Sequence, residues 1–142
     1  MLRFRYLSLA LLLAVSTGAL ADLEAKDARL RLLPGNLPAA GYFSLTNTGS
    51  QPIVLIGAQS PAYAEVMMHR SAVENGTASM QHVEQVEVAP GATVNFASGG
   101  YHLMLMQRQQ PVALGDQVEV TLQFADGQSL PVTFTAVSPT TQ

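Results

Sequence analysis

Apolar and polar residues alternate along much of this chain with the period of two expected of half-buried β-strands. Val118, Val120, Leu122 and Phe124 alternate with Glu119, Thr121 and Gln123, so that segment presents one apolar and one polar face. The same pattern predicts strands over residues 28–33, 41–47, 53–58, 64–69, 79–85, 93–97, 101–107, 117–124 and 130–136. Turn signals separate almost all of them: Pro34-Gly35, Asn47-Thr48-Gly49, Asn75-Gly76, Pro90-Gly91, Gly99-Gly100, Gly115-Asp116 and Asp126-Gly127. No stretch of comparable length beyond the leader sustains a helical period. Many short strands at regular spacing predict an all-β, single-domain antiparallel sandwich or small barrel. There is no internal repeat, and residues 139–142 read as a frayed end.

The beginning of the chain follows a different pattern. Arg3 and Arg5 precede an uncharged, largely apolar run from Tyr6 to Val15, and the small residues Ala19 and Ala21 follow. This is the order of a secretory signal peptide, so residues 1–21 are assigned to a leader cleaved before Asp22, and residues 22–142 to one exported domain. The apolar run is shorter than the roughly 18 residues a bilayer span needs, so no stable membrane insertion is expected after cleavage. The expected destination is a bacterial periplasm or its equivalent.

Composition then removes several classes of function. The chain has no cysteine. Disulfides, thiolate nucleophiles, iron–sulfur ligation, c-type haem attachment, a cysteine-borne lipid anchor and blue-copper electron transfer are therefore not expected. Without Arg3 and Arg5, 5 of the 7 basic residues remain against 10 acidic ones, a formal net charge of −5 that disfavours a nucleic-acid or anionic-membrane surface. No general acid–base pair, Ser–His–Asp order or phosphate-cradling glycine loop is apparent, so no enzymatic activity is expected. A copper oxygenase with a histidine brace would need histidine at the mature N-terminus, where Asp22 is predicted.

The candidate chemistry lies in Gly99-Gly100-Tyr101-His102-Leu103-Met104-Leu105-Met106. In a strand His102, Met104 and Met106 share one face. Thioethers are soft, neutral donors suited to Cu(I), and imidazole suits copper too. Methionine and histidine on a strand also serve ordinary packing, so this stretch alone leaves both readings open. The Asn75-Gly76 pair adds a second piece. If it forms a two-residue hairpin loop, His69 faces His82 and Met80 is the diagonal neighbour of His69. Met67 then shares the face of His69. Met67, Met68 and Met106 fit core packing, with Met67 an auxiliary ligand as the alternative. His82 fits a solvent-facing or supporting role, Tyr42 and Tyr101 fit packing, and Glu65, Glu84 and Glu87 read as solvated carboxylates.

His69, ten intervening residues, Met80, twenty-one intervening residues, His102, one residue and Met104 together resemble the H-x10-M-x21-H-x-M signature of periplasmic copper chaperones of the PCuAC family. Gly41-Tyr42-Phe43 with Leu45, Asn47 and Gly49, the Gly99-Gly100 turn, and Gly115-Asp116 followed by Leu122, Phe124 and Gly127 resemble that family's framework. The resemblance implies a cupredoxin-like antiparallel β-sandwich of Greek-key type holding one Cu(I) through His69, Met80, His102 and Met104. It also implies delivery to the CuA or a related centre of a haem–copper oxidase subunit, alongside a Sco-like thioredoxin-fold assembly protein. Periplasmic sequestration at the same site without delivery is the alternative, and an adhesive sandwich with incidental histidines and methionines is a third reading. The chain departs from the family in carrying Met67 where Glu is common, and in ending without a His- and Met-rich extension.

Overall fold

The structure is a computed structural model describing residues 23–140. Among these residues there is no helix. Ten strands follow in order: β1 Leu23–Arg31, β2 Ala39–Asn47, β3 Ile53–Gln59, β4 Tyr63–Glu74, β5 Thr77–His82, β6 Val86–Val88, β7 Thr93–Phe96, β8 Tyr101–Arg108, β9 Gln117–Phe124 and β10 Ser129–Val137. Their hydrogen-bonded order is β5-β4-β8-β7-β2-β1-β10-β9-β3-β6, with a further β8–β2 pairing. The β1–β10 and β7–β8 pairs are parallel and the other pairs antiparallel. The continuous ribbon folds over itself into an all-β, cupredoxin-like sandwich.

Alternation builds the interior. On β2, Ala39, Gly41, Phe43 and Leu45 point inward, and Ala40, Ser44 and Thr46 are only half-buried. Phe43 meets Phe96 edge-on at 4.5 Å between ring centroids and Phe134 of β10 at 5.7 Å. These contacts join the β2 side to the β10 side, with Leu30, Leu55, Leu103, Leu105, Val120 and Leu122 fully buried around them. Gly41 sits where a Cβ would come within 3.2 Å of Leu103 Cβ and 3.4 Å of Phe134 Cε1, so β2 packs closely here because no side chain intervenes.

The Asn75-Gly76 turn forms the two-residue loop that its sequence predicts. Asn75 and Gly76 have φ of 51° and 76°, the left-handed pair that matches the twist of the flanking strands. Glu74 consequently pairs with Thr77, and His69 with His82. The predicted strand over 79–85 is displaced: β5 runs Thr77–His82, and a separate short strand, Val86–Val88, pairs with β3. The first strand begins at Leu23, ahead of the predicted 28–33, and the register shifts between Lys26 and Arg29, with Asp27 at φ 55°. A bulge breaks the period of two, so alternation alone does not reveal the first half of that strand. The leader assigned to residues 1–21 and the cleavage point before Asp22 lie outside the described residues.

Candidate metal site

Strands β5, β4 and β8 lie side by side, and their registers carry the predicted donors onto one face. His69 of β4 pairs with His82 of β5 and with His102 of β8, Met67 pairs with Met104, and Ser71 with Met80. Directly opposed residues share a face, so the two histidines and two methionines stand on the outer side of the sandwich, above inward-pointing Met68, Leu103 and Leu105. Met68 is a core residue, as its packing reading predicts. Met67 is half-buried on the outer face, and Met106 pairs there with exposed Glu65.

His102 is 4% exposed. Its Nδ1 lies 3.4 Å from the Gly100 carbonyl oxygen. A carbonyl only accepts, so this contact favours the hydrogen on Nδ1, and in the neutral ring Nε2 then keeps its lone pair. That Nε2 is buried and has no hydrogen-bond partner. Gly100 is held in turn: its N–H donates to the Ala97 carbonyl at 3.0 Å, and its carbonyl also accepts the Ser71 N–H at 3.1 Å. Gly99 turns the chain at φ 84°, a left-handed conformation that glycine adopts without strain. The Gly99-Gly100 turn therefore orients the ring that follows it.

His69 Nδ1 is likewise buried without a partner. The His69 ring centroid is 5.7 Å from that of His102 and 6.0 Å from that of His82, both edge-on. Burial holds the His69 pKa below the ordinary 6.5, and the neighbouring His102 and His82 push it the same way. The neutral imidazole needed for a metal is thus favoured. Met80, His102 and Met104 line one cavity of about 280 Å³ with Tyr42, Ser71 and Gly99; His69 is not part of that lining and is joined to it only through its ring contact with His102. Met80 is 61% exposed at the cavity mouth. Among the described residues no three of His, Cys, Asp and Glu gather to hold a metal, so an ion on this face depends on thioether sulfur. Neutral nitrogen and sulfur donors with unoccupied lone pairs fit a soft cation.

Sequence reasoning missed the opposite rim. Arg31 lines the same cavity, and Arg29 and Arg31 lie over the ring of buried Tyr42 at 5.4 and 5.1 Å. Their i, i+2 spacing in a strand was the available signal that both share one face; their closeness to the histidines depends on the pairing of β1, β2 and β8.

The architecture places the molecule in the class of cupredoxin-like sandwiches to which PCuAC domains belong. The copper-bound PCuAC domain from PmoF2 matches with a TM-score of 0.70 at 23% identity, over 85% of this chain and 97% of that one. The solution structure of CuI-DR1885 from Deinococcus radiodurans matches with a TM-score of 0.63 at 30% identity, over 85% and 83%. By sequence, the chain belongs to the LpqE-like family of putative lipoproteins, which it matches over residues 23–136. The putative lipoprotein Lxx21020 of Leifsonia xyli subsp. xyli is 34% identical over 99 residues, 69% of this chain; the chain thus spans about 60% of that relative's length. No helix among the described residues is long and apolar enough to cross a membrane.

Proposed function

We propose that this protein is an exported copper chaperone that binds one Cu(I) through His69, Met80, His102 and Met104 and passes it to a haem–copper oxidase during assembly of its CuA or a related centre. The observation that carries this reading is the pair of buried imidazole nitrogens, His69 Nδ1 and His102 Nε2, that lack hydrogen-bond partners on a face shared with two methionines. Buried polar atoms are nearly always satisfied, and a nitrogen lone pair kept free beside thioethers suits a cuprous ion. The likeness to CuI-DR1885, a protein solved with Cu(I), supports the same reading. Kinship with putative lipoproteins supports export; the periplasm, reached through a cleaved leader, is the proposed compartment.

A site made of neutral donors holds copper less tightly than thiolates would, which suits transfer. No substrate turnover is involved. A Sco-like thioredoxin-fold assembly protein is the proposed companion in delivery.

Titration with Cu(I) under reducing conditions against a competing cuprous chelator tests the site. One equivalent is expected to bind, and the double variant His102→Ala, Met104→Ala is expected to lose at least a hundredfold in affinity. Unchanged affinity in that variant would remove the assignment. Delivery is tested by mixing Cu(I)-loaded protein with an apo CuA domain and following the metal by NMR. Copper that stays on this protein at equilibrium would leave it a store.

A further inference from the structure

The outer face carries two cations that the copper-binding reading does not use. Arg31 pairs with Ala40, which in turn pairs with Met104, while Arg29 pairs with Tyr42. Both guanidinium groups lie over the Tyr42 ring. Arg29 Nη1 donates to the Asp27 carbonyl at 3.3 Å, but Arg31 Nε is buried and has no partner. Among the described residues the ion pair is Lys26–Glu24, so neither arginine holds a carboxylate within 4 Å. Arg29 and Arg31 line a hollow of about 350 Å³ with Ala97 and Ser98, and Arg31 and Ser98 also line the cavity of Met80, His102 and Met104. A chain with 10 acidic against 7 basic residues thus reverses its sign locally, beside the candidate metal site.

We propose that Arg31, with Arg29 beside it, forms a carboxylate-binding subsite on the rim of the metal cavity, filled by an acidic side chain of the protein that exchanges copper with this one. The planar guanidinium fork matches a carboxylate, and the Arg31 side chain lines both hollows, where an incoming carboxylate can meet it. The stacking on Tyr42 holds the fork in place before the partner arrives. Neither cavity has a carboxylate in its lining. The identity of that partner and the coupling rest on the copper reading: a cuprous ion adds positive charge beside two guanidinium groups, and an incoming carboxylate offsets it. Linkage then requires copper and carboxylate each to strengthen the binding of the other.

The test follows the arginine Nε–H resonances of the ¹⁵N-labelled protein during titration with hexaglutamate, with hexaglutamine and sodium acetate as comparisons. The Arg31 resonance is expected to shift saturably with hexaglutamate and to stay still with hexaglutamine. Arg31→Gln is expected to weaken binding at least tenfold, Arg31→Lys less, and Lys26→Gln by under twofold. An equal loss in Lys26→Gln would reduce the effect to net charge and overturn the subsite. Acetate binding as tightly as the peptide would overturn the assignment to a protein partner. Repeating the titration on Cu(I)-loaded protein should tighten binding severalfold, and identical affinities would overturn the coupling. Should the protein take up no Cu(I) at all, the copper reading fails, while Arg31 binding in the apo protein still stands or falls by itself.

Discussion

One contact orients the chemistry of His102. Because Gly100 offers only a carbonyl, at 3.4 Å, it favours the neutral tautomer with the hydrogen on Nδ1, which leaves Nε2 for a metal. His69 differs in being tuned by its surroundings: burial first, then His102 and His82, lower its pKa from 6.5. A folded-state value below the unfolded one means that the unfolded chain takes up the proton more readily. The stability from neutral His69 is therefore complete above about pH 6.5 and is lost as pH falls through the lowered folded value. Urea denaturation of the apo protein across pH 7.5 to 5 should show this fall, and His69→Gln should flatten it; an equally steep fall in the variant would assign the effect to other groups. Cu(I) affinity should decline over the same range, since a protonated imidazole cannot ligate. The thioethers respond to oxidation instead. Met80, 61% exposed, should form sulfoxide under mild peroxide well before Met68, 3% exposed, and Cu(I) affinity should drop in step with Met80 oxidation on a mass-spectrometric time course. Copper binding that survives complete Met80 oxidation would exclude that sulfur as a ligand.

At the scale of the element, the β4–β5 hairpin is the part of the site that local sequence specifies. Asn-Gly dictates a two-residue loop, and the loop dictates that His69 faces His82 with Met80 one diagonal step away. Gly76 at φ 76° is the residue to change. Gly76→Ala should cost about 1–2 kcal/mol for a left-handed alanine. Most of that cost should appear as faster amide exchange in Thr77–His82, with weaker Cu(I) binding as the consequence; unaltered exchange there would mean that the turn does not hold Met80 in place. The other half of the site is not local. Nothing in the alternation of residues 64–69 or 101–107 says that these strands are neighbours or that His69 pairs with His102; the resemblance to a known spacing implied only that the four donors share one ion, and the pairing is a finding of the structure. The bulge at Asp27 likewise escaped periodicity, because one extra residue reverses the faces on either side of it.

Across the whole molecule, the packing of the inner face holds the strands that carry the outer one. Phe43 and Phe134 join the two layers beneath Gly41, whose lack of a side chain lets β2 lie against Leu103 of β8. Phe134→Ala should cost about 3–5 kcal/mol, a large share of the roughly 5–15 kcal/mol that stabilises a domain of this kind. Thermal unfolding followed by circular dichroism would read it, and a change under 1 kcal/mol would mean the layers are joined elsewhere. Gly41→Ala should cost about 1 kcal/mol, since crowding of Leu103 and Phe134 exceeds the gain from a stiffer unfolded chain.

The sequence by itself determined the all-β class, most strand positions, the hairpin and its register, and a donor set limited to nitrogen, oxygen and thioether by the lack of cysteine. These follow from neighbours along the chain, where side-chain alternation and the φ preferences of turn residues act directly. Tertiary structure alone decided that β8 lies against β4, that His69 Nδ1 and His102 Nε2 are both buried without partners, and that Arg29 and Arg31 stand on the face that carries the histidines. Those features depend on which distant strands share hydrogen bonds. That choice is made by packing the inward residues of all the strands together, and no local pattern contains it.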